Sequence, residues 1–232
     1  MTRTPRPNRW PIVGAAALTI ALAACSGQSA VAPAVPGSGL SNANAVKAPA
    51  VHPADDPPIQ LVIGTTVGQS FFPEGDTATG GQGQQIDHVF NCMKALDGPS
   101  HHHVHLSIFN NGQQIAVPRG IGMLNPGHNK FIYHQTCLYW LHSHDDTGIL
   151  HMEPKIPTAT FTLGNAFDLW GEPLDATTVA GFTGPQLIIV NGATYTGDPR
   201  AILFTPFMQI TIEVGTPLPG PPPTYLFPPD YT

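Results

Sequence analysis

The chain has 232 residues, nine basic and fifteen acidic, for a formal net charge of −6, and charged residues are only 10% of the total. That acidic balance excludes nucleic acid and anionic lipid headgroups as electrostatic partners. Glycine and proline number 24 and 26, well above their usual combined share of about 12%, which favours turns and short strands over long helices.

In chain order, the first ten residues carry Arg3, Arg6 and Arg9 and no acid, and an apolar run extends from Ile12 to Ala24. The run is shorter than the roughly 20 residues that span a bilayer, and its position behind a basic segment is that of an export signal. It ends Leu22-Ala23-Ala24-Cys25-Ser26, which resembles the lipobox of bacterial lipoproteins. The resemblance implies cleavage after residue 24, a lipid on Cys25 and a membrane as partner. It places the protein in the cell envelope, on the periplasmic face of the outer membrane if the host is Gram-negative. Several acyl chains anchor a protein stably where one binds reversibly. Removing residues 1–24 leaves six basic residues against fifteen acidic, a net −9.

Residues 25–58, Pro-rich and short of large apolar side chains, read as a flexible tether. The folded domain is expected over 59–215. Cys92 and Cys137 are the two cysteines left after Cys25. In an oxidising export compartment a disulfide between them is the expected arrangement, with two thiolate metal ligands as the alternative. Val104, Leu106 and Ile108 alternate with His103, His105 and Ser107, the pattern of a half-buried strand. It runs into Asn111-Gly112 and continues over 113–117 as a hairpin. Leu163, Phe167 and Trp170 share one face of a short helix over 163–170, stopped by Gly171 and Pro173. Asn191-Gly192 joins strands at 187–190 and 193–195, and residues 207–214 form the last strand. The Pro-rich segment 216–232 is extended, packed on the domain or loose. The fold expected is a single, mainly β, antiparallel domain, sandwich-like or barrel-like, with one or two short helices. The alternative is an α+β arrangement with a small sheet on one helix.

Seven of the eleven histidines fall in two short regions, and three pairs share one spacing: His103-x-His105, His142-x-His144 and His151-x-Glu153. On a strand, residues i and i+2 stand on one face roughly 6.5–7 Å apart. Side chains so placed can tilt toward one ion. A turn over 145–148 would fold His142 and His144 back beside His151 and Glu153. A Cys92–Cys137 bridge would bring the strand before His142 toward the one carrying His103 and His105. Asp145 is a further ligand or an acceptor that fixes an imidazole tautomer. Against this stands the plainer reading of a solvated or buried polar histidine network. The candidate metal ligands are His142, His144 and His151 first, then His103 and His105, then Glu153. Nitrogen and oxygen donors without thiolate suit a transition metal such as zinc or copper. Met152, on the opposite face of a regular strand from His151, is expected in the core, as are Trp140, Phe167 and Trp170.

The segment from Cys137-Leu138-Tyr139-Trp140-Leu141-His142-Ser143-His144-Asp145 through Glu153 resembles a family of exported bacterial proteins with the pattern C-x-Y-W-L-H-T-H-D-x-x-G-I-I-H-I-E. The likeness extends to His103-Val104-His105-Leu106, Asn111-Gly112, Leu163-Gly164 and Trp170-Gly171. Ser143, Leu150 and Met152 depart from the pattern without removing a candidate ligand. The resemblance implies a site and leaves its chemistry open. No Gly-x-Ser-x-Gly, phosphate-binding glycine loop or dinucleotide fingerprint is present. Glu153 or Asp145 beside a metal-bound water would serve an enzyme, but the pattern points to metal binding or handling before catalysis. A lipoprotein that holds a protein partner and no metal is the third reading.

Overall fold

The computed structural model describes residues 57–75, 92–94, 100–220 and 222–231. The proposed signal segment, Cys25 and the tether up to residue 56 lie outside the described residues. Among those described, no helix is long and apolar enough to cross a membrane.

In chain order the strands are β1 (Ile59–Gln60), β2 (His102–Asn110), β3 (Gln113–Ile115), β4 (Met123–Leu124), β5 (Cys137–Leu138), β6 (Leu141–His142) and β7 (Ile149–Met152). Helix α1 (Leu163–Trp170) follows, then β8 (Thr178–Val179), β9 (Phe182–Thr183), β10 (Gln186–Val190), β11 (Ala193–Tyr195), β12 (Gln209–Val214) and β13 (Tyr225–Leu226). The fold is mainly β with one α-helix among the described residues and no closed barrel. Its centre is a seven-stranded sheet in the order β11-β10-β12-β2-β7-β6, with β3 also paired to β2. The sheet is mixed: β12 runs parallel to β2, and the other pairings are antiparallel.

The central strand β2 is shared along one edge. Its first half pairs with β7, from His102↔Met152 to His105↔Ile149, and its second half with β3, from Ile108↔Ile115 to Asn110↔Gln113. The β2–β3 turn has Asn111 at φ 50° and Gly112 at φ 78°, the left-handed pair that Asn-Gly supplies cheaply. Asn191 and Gly192 repeat it between β10 and β11.

One face of the sheet carries Val104, Leu106, Ile108, Leu150, Met152, Ile210 and Ile212 into the main core. Helix α1 lies in that core with Leu163 and Phe167 fully buried, and Trp140 and Trp170 each 6% exposed. Each such aliphatic or aromatic side chain contributes about 1.5–3 kcal/mol by leaving water. Thr162 caps α1, accepting from Asn165 N while the Asn165 side chain answers the Thr162 N–H. Gly171 ends it in the left-handed conformation at φ 82°.

The other face of β2 is where the half-buried expectation changes. His103, His105 and Ser107 are as buried as the apolar residues that alternate with them. The reason is the C-terminal segment, which packs on the domain. Strand β13 pairs in parallel with β1, and Tyr225 forms a small second cluster with Leu61 and Ile149. The Gln209 side chain holds this strap twice, its Nε2 donating to Tyr225 O at 2.8 Å and its Oε1 accepting from Tyr225 N at 2.9 Å. The polar face of the sheet is thus roofed by the chain's own tail.

Cys92 and Cys137 form a disulfide. It ties the segment 92–94 to β5, where Met93 and Leu138 exchange backbone hydrogen bonds at 2.8 Å. This corrects the role given to the bridge above. The two histidine regions meet because β7 zips directly onto β2 and β6 onto β7, a contact made by sheet hydrogen bonds rather than by the disulfide.

Candidate metal centre

Sheet register assembles the centre. His103 on β2, His151 on β7 and His142 on β6 are directly opposed across three neighbouring strands. The turn at 145–148 folds β6 onto β7 as the spacing suggests. Gly148 sits there at φ 84°, against Leu106 O, where a Cβ has no room. Glu153 extends from the end of β7, and His144 follows β6 by two residues. His142, His144, His151 and Glu153 each place a donor atom within 4.8 Å of the others. His101, His103 and His151 form a second such group, sharing His151. Both groups are able to hold a metal ion.

The hydrogen bonds on the far side of each ring decide which nitrogen faces the centre. His142 Nδ1 lies 2.8 Å from Tyr139 O, His144 Nδ1 2.5 Å from Ile132 O and His103 Nδ1 3.2 Å from Tyr231 O. A carbonyl only accepts, so each Nδ1 carries a proton, and in the neutral ring the lone pair is on Nε2, facing the centre. These anchors are themselves fixed. Ile132 is fully buried, its N–H donates to His144 O at 2.9 Å, and the Phe131 ring stacks on the His144 ring at 4.7 Å. Tyr231 stacks on His103 with ring centroids 4.3 Å apart.

The consequence is sharpest between His142 and His144, whose Nε2 atoms face each other at 3.0 Å. Two lone pairs at that distance repel unless a positive centre lies with them: a shared proton, or a metal ion. Glu153 Oε1 stands 3.5 Å from His142 Nε2. Donors around a tetrahedral ion with bonds of about 2.0–2.1 Å are about 3.3 Å apart, so these separations bracket the edge of a coordination polyhedron.

Electrostatics favours the ligating form. Burial drives the imidazole pKa values down: His103 to about 4, His144 to about 3, and His151 well below the ordinary value. His101, half-exposed, is lowered by the same cause, partly offset by Glu153. These rings are neutral at pH 7, as a metal ligand must be.

His105 is not brought into either group. Its Nε2 lies 3.0 Å from Thr147 O and so carries the proton, while its Nδ1 faces Ser107 Oγ at 3.5 Å. Both nitrogens point to protein partners, and the Tyr225 ring covers the imidazole at 4.1 Å. In register it opposes Ile149, two pairs beyond the histidine row. Asp145 is likewise no ligand. Its Oδ1 accepts from Thr147 N at 3.1 Å and from the Thr147 hydroxyl, and its Oδ2 accepts from Gly64 N at 2.8 Å. It shapes the turn and ties down the chain near β1. Met152 is buried in the main core on the opposite face from His151.

His101 is the site residue that sequence reasoning did not select. Its Nε2 is 3.0 Å from His151 Nδ1 and 3.1 Å from Glu153 Oε1. The i+2 spacing that picked out His103 and His105 extends back to it, and that signal was available. Comparison of the chain with protein-family models, with curated proteins and with solved structures gives no match.

Proposed function

We propose that the protein is an exported lipoprotein, anchored in the cell envelope through Cys25, that binds a zinc or copper ion at His142, His144, His151 and Glu153. The observation that carries the metal reading is the pair of His142 and His144 Nε2 atoms facing each other at 3.0 Å, each ring held there by a carbonyl on Nδ1. Three imidazoles and a carboxylate complete a four-coordinate shell from the protein alone. That is the closed arrangement of a binding site rather than the open one of a metallohydrolase. The lipobox-like Leu22–Cys25 segment supports the anchor, and the net negative charge speaks against nucleic-acid partners. The role is therefore metal binding or handling at a membrane.

The test is metal content by mass spectrometry of the full chain, expressed without a histidine tag, beside a His142→Ala/His144→Ala variant. The reading predicts one tightly held zinc or copper per chain, lost in the variant. No metal on either protein after incubation with both ions would leave a proton in the 3.0 Å gap and a purely structural histidine network.

A further inference from the structure

The inner group does not use every histidine at this end of the sheet. His103 Nε2 is buried and has no hydrogen-bond partner among the described residues, while Nδ1 of the same ring is engaged by Tyr231 O. A buried polar atom left without a partner costs free energy unless something meets it. His103 belongs to the second donor group, with His101 and His151. Six side chains in two groups are more than one tetrahedral ion takes.

His101 is the most exposed residue of this constellation, since His103, His142 and His151 are buried and His144 and Glu153 are half-buried. The side chain of His101 is 49% exposed, that of Glu153 16% and that of His142 0%. His151 belongs to both groups, and Glu153 Oε1 touches both, 3.1 Å from His101 Nε2 and 3.5 Å from His142 Nε2.

We propose that His101, His103 and His151 form an outer cation site through which a divalent transition ion reaches the inner group and leaves it. This rests on the metal reading above. An ion captured at the outer site gains Glu153 beside His101, then exchanges His101 for His142 on the same carboxylate oxygen and His103 for His144, with His151 held throughout. Each step forms one bond before the next is given up, so the ion is never stripped of several ligands at once in a buried setting. Without such a relay the ion sheds its hydration shell directly at a group in which His142 and His151 are buried and His144 and Glu153 are only half-buried. His101 then acts on the rate of exchange and not on the final affinity.

The experiment follows zinc uptake by the metal-free full chain, and its extraction by an excess of a chromophoric chelator, in a stopped-flow instrument. The wild type is compared with His101→Ala and with His144→Ala; His101 is half-exposed, so its replacement leaves the fold intact. In His101→Ala the proposal predicts uptake and release both slowed at least tenfold, with the equilibrium affinity within threefold of wild type. In His144→Ala it predicts zinc that is weakly bound and exchanges fast on the remaining outer ligands. Unchanged rates in His101→Ala would overturn the relay, leaving a solvated histidine paired with Glu153. Faster release with a matching loss of affinity would also overturn it, making His101 a ligand of one single site. Absence of zinc on the wild type would remove the metal reading itself.

Discussion

Tyr225 is the keystone of the strap that roofs the histidine face, and its truncation tests that arrangement. The ring is 2% exposed and lies 4.1 Å from the His105 ring. Its hydroxyl accepts from Gln114 Nε2 at 2.9 Å. An aromatic side chain buries about 150–250 Å², worth about 4–6 kcal/mol as an upper figure at about 25 cal/mol per Å². Truncating a buried aromatic to alanine costs about 3–5 kcal/mol once partial collapse is included. For Tyr225→Ala we expect a loss of about 3–4 kcal/mol in guanidinium unfolding and a Tm lower by about 10 °C, at about 2–4 °C per kcal/mol for a domain of this size. Tyr225→Phe keeps the ring and loses the hydroxyl's bonds to Gln114 and Ser107, about 1–2 kcal/mol. Releasing the strap also removes Tyr231 O from His103 Nδ1, which frees a ring of the outer group and not a ligand of the inner one. A loss below about 1 kcal/mol for Tyr225→Ala, or equal losses for the two variants, would refute the idea that the tail closes this face.

Three further outcomes follow from the same contacts. Glu213 is 1% exposed, and its Oε1 has no partner among the described residues. Burial raises its carboxyl above the ordinary 4.5, with the Gly220 N–H offsetting this in part. The unfolded chain therefore loses this proton first, and wild-type stability falls as pH rises from about 4.5. Glu213→Gln should be more stable than wild type by about 1–2 kcal/mol at pH 7, with the gain vanishing toward pH 4; equal stabilities at pH 7 would count against the raised value. Next, His105→Gln should lower stability by about 1–3 kcal/mol by disturbing the Thr147 and Ser107 partners, while mass spectrometry finds the metal content unchanged. Metal lost from that variant would return His105 to the site. Finally, Cys92→Ser/Cys137→Ser opens a loop of sequence separation 45. Chain entropy sets that cost at about 4 kcal/mol, and metal content should again hold because the sheet, not the bridge, gathers the ligands.

The helix over 163–170 and both Asn-Gly hairpins were legible because each rests on local chemistry: an apolar face closed by Gly171, and two residues that accept positive φ. Strand β12 begins at Gln209, two residues later than expected, because Phe207 adopts φ 61° and breaks the extended run. The pairing of His142 with His151 followed from the short turn between them. The pairing of His103 with His151 did not, since β2 and β7 are far apart in sequence and nothing local records their register. His105 shows the limit most clearly. It has the same spacing from His103 that His144 has from His142, and only the partners on the far side of the ring separate a ligand from a structural residue. The burial of the histidine face was hidden for a similar reason. The tail that covers it, 222–231, carries proline and aromatic residues without any periodicity that points to a target.

X-ray absorption at the metal edge tests the central claim most directly, on the full chain loaded with one equivalent of zinc. The account predicts about four nitrogen or oxygen neighbours at about 2.0–2.1 Å, the outer-shell scattering of about three imidazoles, and no sulfur near 2.3 Å. A six-coordinate shell of water without imidazole scattering, or a sulfur shell, would contradict it.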